Sequence, residues 1–266
     1  MTNPLFNPQD YALMIEKTPL QSLALGRHIY LLQQEAHYFW LKAQDASGHP
    51  QWMNGFQREL EIYHHYSSAT FILPAQLLKS DPQQAFPNLL KIEYAAPALS
   101  ELQCLSIRQI QQKLYTILDA VAALHQSGWL HGDLKASHLR QYGQQVKLID
   151  FEQAQLIVES KQLQPMDATP RYMAPELFHL AAKSVQSDLY ALGIVFYEWL
   201  STRKIQIVNY DDWAVYHCQQ SDFQLPEHLQ QFQALLNGLL AKQKTARFIT
   251  AQHAMQCLNA CEWLGQ

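Results

Sequence analysis

His131-Gly132-Asp133-Leu134-Lys135 is followed, seventeen positions after Asp133, by Leu148-Ile149-Asp150-Phe151. Two aspartates and a lysine at that spacing suit phosphoryl transfer from a nucleotide. One aspartate can accept a proton from an attacking hydroxyl, the other can hold Mg²⁺ against the phosphates, and the lysine can neutralise charge on the transferring group. Neither stretch is specific by itself, because Asp-Leu-Lys and Asp-Phe are common at surfaces and strand ends. Their order and spacing give them weight.

Elements of two kinds must hold these residues. Short apolar runs at Ser22–Leu25, His28–Leu32, Tyr38–Leu41, Thr70–Leu73 and Leu89–Tyr94 predict strands, with one helical stretch over Trp52–Tyr66. From Ile107 onward the period is helical, as in Ile110, Leu114, Ile117, Leu118, Val121 and Leu124, and again in Leu189, Leu192, Val195, Phe196 and Leu200. Ala95-Ala96-Pro97 marks a break, since proline interrupts regular structure. The expected organisation is a mostly β segment over 1–95 and a mostly α segment over 96–266.

Composition narrows the function classes. The 266 residues are 48% hydrophobic, enough for a sizeable core, and the net charge of −4 gives no broad basic surface for nucleic acid. Cys104, Cys218, Cys257 and Cys261 form no Cys-x-x-Cys pair, so packing is expected of them rather than metal binding. His64, His65, His217, His228 and His253 have no ligand spacing either. The start of the chain has no basic segment leading into an apolar run, and no stretch has the ~18 apolar residues of a membrane span. The expectation is a soluble, cytoplasmic protein.

The two opening motifs, read with Thr169-Pro170-Arg171-Tyr172-Met173-Ala174-Pro175-Glu176 and Ser187-Asp188-Leu189-Tyr190-Ala191-Leu192-Gly193, resemble the bacterial eukaryotic-like Ser/Thr protein kinases over nearly the whole chain. Arg247 stands where that family places the partner of the Ala-Pro-Glu glutamate. The resemblance implies a bilobal α+β fold with a small β-rich N-lobe, a large α-helical C-lobe and ATP bound at the hinge. It implies Asp133 as catalytic base, Lys135 on the γ-phosphate, Asp150 on Mg²⁺ and Thr169 beside the substrate hydroxyl. Lys42 resembles the lysine that holds the α- and β-phosphates and pairs with a helix glutamate, here Glu59 with Glu61 as rival. Ile92 looks like the gatekeeper, and the backbone of Glu93 and Ala95 would meet adenine. A protein substrate is the implied partner, and ATP with Mg²⁺ or Mn²⁺ the implied cofactors.

The chain departs from that pattern at informative places. Only Gly26 remains of the glycine loop, whose backbone N–H groups would close on phosphates, unless Arg27 or His28 supplies the charge instead. Trp40 stands where the family keeps a small residue. It fills the adenine pocket or, with the register slipped by one, points into the core. His138 replaces the asparagine of the second metal site, and imidazole suits Mn²⁺ comparatively better than Mg²⁺. Glu152 replaces the glycine after Asp-Phe, and either compensates for His138 or faces solvent. Gly132 replaces an arginine that reads activation-loop phosphate, so any phosphosite such as Ser160 would have little electrostatic leverage and activity is expected to be constitutive.

His138 and Glu152 also resemble lipopolysaccharide-core kinases. Three readings follow: a Ser/Thr protein kinase, supported by Lys42, Glu59, Asp133, Lys135, Asp150 and Thr169; a pseudokinase serving as a binding or scaffold module, supported by Trp40 and the missing glycines; and a lipopolysaccharide or small-molecule sugar kinase. Trp213, Tyr216, Phe223, Phe232, Leu235, Leu236 and Leu239 read as late-helix packing, part of which could be an exposed docking face.

Overall fold

A computed structural model describes residues 4–46, 48, 50–79, 86–159, 169–220 and 222–260. Ser160 and Cys261 lie outside the described residues. The chain divides into two compact units, Met1–Ala96 with Ile149–Glu152, and Pro97–Leu148 with Gln153–Gln266.

The first unit is built on β1 (Leu13–Glu16), a single helical turn α1 (Leu20–Leu23), β2 (Arg27–Gln34), β3 (His37–Gln44), helix α2 (Pro50–His65), β4 (Ala75–Lys79) and β5 (Asn88–Glu93). The strands form one antiparallel sheet in the order β1-β2-β3-β5-β4. Pairing of Tyr30 with Leu41 and His28 with Ala43 fixes the faces. One face carries Leu32, Leu41, Ala43, Leu78 and Leu89, closed over by Phe6. The other carries Arg27, Ile29, Trp40 and Lys42. Helix α2 buries Phe56, Glu59, Leu60, Ile62 and Tyr63, a stripe at the helical period that includes one carboxylate.

Two expected strands are corrected here. Ser22–Leu25 is not a strand: Pro19 sets up a helical turn in which the Ser22 and Leu23 amides both donate to Pro19 O, and Gly26 at φ +73° ends it. Thr70–Leu73 is not a strand either. Phe71, Ile72 and Leu73 are buried in irregular chain, and β4 begins only after Pro74. Three or four consecutive apolar residues record burial, and burial is common to strands and packed turns. Strand β1 lacked a sequence signal.

A two-residue strand, β6 (Ala96–Pro97), marks the change of unit. The second unit contains α3 (Ile107–Gln126), β7 (Trp129–Leu130), β8 (Leu139–Tyr142), β9 (Gln145–Leu148), β10 (Gln155–Leu156), α4 (Val185–Ser201), α5 (Tyr210–Val215), α6 (Gln233–Leu240) and α7 (Ala251–Asn259). Both long helices start at capping boxes, Ser106 with Gln109 and Ser184 with Ser187, which satisfy orphan backbone donors at the first turn. Helix α4 is buried on nearly every side and forms the centre of this unit. Arg247 grips Glu176 through both guanidinium nitrogens, the Nη1–Oε1 bond being 2.8 Å. Trp213, Phe223, Phe232, Leu235, Leu236 and Leu239 are buried and form packing, whereas Tyr216 is only half-buried. Cys104 is exposed, and packing does not account for it.

Candidate active site

Each unit holds one constellation of the residues singled out by the sequence. In the first, Lys42 sits on β3 with its ammonium among three carboxylates: Glu59 Oε2 at 2.6 Å, Glu152 Oε1 at 2.9 Å and Asp150 Oδ1 at 3.0 Å. An ammonium has three N–H bonds, so these contacts match its donor capacity. Burial works against the charge, but Asp150, then Glu152 and Glu59, hold the Lys42 pKa well above the ordinary lysine value. Burial pushes the Glu59 carboxyl up, with Lys42 pulling the other way.

Glu59, fully buried, is therefore the helix carboxylate that meets Lys42; its rival Glu61 is exposed and accepts from Gln57. The second oxygen of Glu59 accepts the Phe151 N–H at 3.2 Å. The Phe151 ring lies edge-on to Tyr63 and Phe71, with centroids 5.8 and 6.2 Å apart. Arg58 donates to the Glu152 carbonyl at 2.8 Å. Helix α2 thus grips the backbone of Phe151 and Glu152 and the Phe151 ring. Asp150 itself has φ +68°, a left-handed conformation that a short polar side chain tolerates better than most.

Glu152 neither faces solvent nor stands apart. Its second oxygen accepts from Arg27 Nη2 at 2.6 Å, so one carboxylate bridges Arg27 and Lys42. Carboxylate oxygens of Glu59, Asp150 and Glu152 lie within 4.8 Å of one another, a hard-oxygen donor set of the kind Mg²⁺ takes. Glu59 is committed to Lys42 and Phe151, whereas the Asp150 side chain is 33% exposed and within reach of an ion. Trp40 shares the Lys42 face, outside the apolar core cluster, with its ring tilted against Tyr94 at 5.9 Å. Ile92 is buried opposite it. The Glu93 amide donates to Pro74 O at 2.9 Å, so any bond from Glu93 to a base would use its carbonyl as acceptor.

In the second unit Asp133 is the centre. Thr169 Oγ1 donates to Asp133 Oδ1 at 2.7 Å and Lys135 Nζ donates to Oδ2 at 2.9 Å. Burial tends to raise this carboxyl, but the charges of His138 and Lys135 and the two hydrogen bonds outweigh it, and its pKa lies below the ordinary aspartate value. It is ionised at neutral pH, as a proton acceptor must be. His138 is buried, stacked on His131 at 5.5 Å, with Nδ1 2.9 Å from the Asp133 carbonyl. The carbonyl can only accept, so Nδ1 carries the hydrogen and a metal would have to take Nε2.

The loop that presents Asp133 is tied down by Asp188, a residue to which sequence reasoning gave no role. Its carboxylate accepts from the backbone of His131 at 2.8 Å and Gly132 at 3.0 Å, and from His125 Nε2 at 3.0 Å. Asp188 lies in a motif that was legible, whereas His125 on α3 carried no signal. Gly132 has φ +77°, and a Cβ there would stand 2.3 Å from Gln153 O and 3.0 Å from Lys183 Nζ. No arginine fits that backbone position.

The family model described as "Protein kinase domain" matches residues 30–259. Rabbit (Oryctolagus cuniculus) serine/threonine-protein kinase 17A is 27% identical over 42% of this chain, and Arabidopsis thaliana serine/threonine-protein kinase AtPK2/AtPK19 is 29% identical over 59% of it. The matches cover 31% and 34% of those relatives' own lengths. Among solved structures, the Cydia pomonella granulovirus kinase PK-1 superposes with a TM-score of 0.70 at 17% identity, covering 93% of each chain, a likeness of fold. No helix among the described residues is long and apolar enough to cross a membrane.

Proposed function

The chain belongs to the protein kinase domain family, and on that premise we propose that it is an ATP-dependent Ser/Thr protein kinase, moving the γ-phosphate of ATP to a hydroxyl of a protein substrate. The observation that carries this reading is Asp133, an ionised carboxylate held from both sides by Thr169 and Lys135. Asp133 would take the proton of the attacking hydroxyl, Thr169 would hold the carboxylate in line, and Lys135 would offset charge on the transferring phosphoryl. Lys42 would hold the α- and β-phosphates, oriented by Glu59. Glu93 and Ala95 would offer backbone hydrogen bonds to adenine. Mg²⁺ or Mn²⁺, when bound, supplies positive charge over the phosphates, and Asp150 with Glu152 or His138 would hold it. The names of the relatives support a serine or threonine acceptor. Glycine at 132 supports activity that needs no activation-loop phosphate.

A non-catalytic binding module is the second reading. It is favoured by the complete engagement of Lys42 with carboxylates of its own chain. The deciding experiment incubates the purified chain with γ-labelled ATP, Mg²⁺ or Mn²⁺, and either generic protein substrates or sugars. Label on protein that disappears in Asp133→Asn is the expected result. Label on sugars alone overturns the protein acceptor, and no label with either metal favours the binding module.

A further inference from the structure

The second half of the connection between β1 and β2, leading into β2, does not offer its backbone amides to a phosphate. Five successive amides within it are already spent: Ser22 and Leu23 donate to Pro19 O, Ala24 to Leu20 O, Leu25 to Ser22 O and Gly26 to Leu23 O, all at 2.9–3.1 Å. Gly26 turns the chain into β2, and a Cβ there would meet Gln44 Nε2 at 2.9 Å. A phosphate-binding loop works by presenting unpaired N–H groups to the anion, and this one is folded onto itself. Next to β2, where the loop amides are spent, positive potential for a polyphosphate comes from side chains.

Arg27, the residue immediately after that loop, is placed to provide it. It is on the same face of the sheet as Lys42, with only 5% of its surface exposed, and its guanidinium lies over the Phe56 ring at 4.4 Å. Nη2 donates to Glu152, but Nη1 is buried without a hydrogen-bond partner among the described residues. A buried, unsatisfied N–H of a charged group is costly, which marks the position as one a ligand can complete. Glu152 meanwhile gives one oxygen to Arg27 and the other to Lys42, at 2.6 and 2.9 Å. Two oxygens on one central atom, shared between a guanidinium and an ammonium, is also how a phosphate group would sit on the same pair.

We propose that Arg27 and Lys42 form a two-cation receptor for the polyphosphate of a nucleoside di- or triphosphate, with Glu152 standing in for a phosphate group when no nucleotide is bound. The inference rests on the nucleotide-dependent reading above, and adds to it the residue that takes over from the missing glycines.

The test is calorimetric titration of the full chain with ADP and with adenosine, in Mg²⁺ and again in EDTA. Wild type is expected to prefer ADP over adenosine by at least about tenfold in both buffers. Arg27→Gln should lose most of that preference and keep its adenosine affinity within about twofold, and Arg27→Lys should recover part of it. Glu152→Gln, which frees both cations, should raise the ADP preference in EDTA. An Arg27→Gln variant that keeps the wild-type preference overturns the proposal, as does a wild-type preference that vanishes in EDTA. Should Arg27→Gln fail to fold, an unchanged or weaker ADP preference in Glu152→Gln overturns it. A wild-type chain that binds neither ligand removes the nucleotide reading and the receptor with it, whereas binding of both with equal affinity removes the receptor alone.

Discussion

Thr169 donates its hydroxyl hydrogen to Asp133 across thirty-six residues of sequence, at 2.7 Å, while Lys135 holds the other carboxylate oxygen. The pair joins the loop that follows α3 to the segment that precedes α4. Both contacts orient the Asp133 carboxylate and favour its ionised form.

Removing the Thr169 hydroxyl takes away a hydrogen bond that favours the charged form of Asp133, so the Asp133 pKa rises. In Thr169→Val, kcat is expected to fall by roughly tenfold or more, and the acid limb of the kcat/KM pH profile should move to higher pH. Thr169→Ser should restore both. An acid limb that stays in place in Thr169→Val would show that Thr169 does not set the state of Asp133.

Lys42→Met leaves Glu59 fully buried with no cation beside it. Breaking a buried pair from one side costs about 3–5 kcal/mol, so the urea midpoint should drop sharply. Lys42→Met combined with Glu59→Leu should recover much of the loss, because the one fully buried carboxylate is then gone, while Glu152 keeps Arg27 and Asp150 is partly exposed to water. A double variant no more stable than the single one would refute this account.

Gly132→Ala combines a left-handed backbone with a Cβ placed 2.3 Å from Gln153 O. Backbone cannot yield as a flexible side chain can, so stability should fall by about 2 kcal/mol or more. Circular dichroism melts measure it. Gly132→Arg should be worse still, and a stable arginine variant would contradict the packing described for this loop.

His217 is fully buried, with Nε2–H donating to Arg171 O and Nδ1 accepting from the Tyr190 hydroxyl. Burial lowers its pKa to about 4, against backbone hydrogen bonds that act to raise it. The folded state therefore binds a proton less readily than the unfolded state, so its contribution is fully present above pH ~6.5 and is lost as pH falls toward about 4. The loss amounts to roughly 3 kcal/mol at the acid end. Melting temperatures between pH 7 and pH 5 should decline more steeply for wild type than for His217→Gln. Equal slopes would rule out this histidine as the source.

The sequence by itself determined a good deal. The motifs around Asp133 and Asp150 pointed to the family, the periodicity from Ile107 and from Leu189 predicted α3 and α4, and the β2, β3 and β5 runs predicted three strands of the sheet. Each of these signals is local, written in the order and period of neighbouring side chains. The helical turn at Leu20–Leu23 and the irregular burial of Phe71–Leu73 escaped because apolar character reports burial and not backbone conformation. Glu152 shows the limit most clearly. Its sequence offered a choice between a metal site and solvent, and the fold instead joins it to Arg27, 125 positions away, and to Lys42. Asp188 likewise gains its role from amides 56 and 57 residues earlier. Charge pairing across such separations depends on which strands and helices pack together, and only the tertiary structure brings those groups within hydrogen-bonding distance.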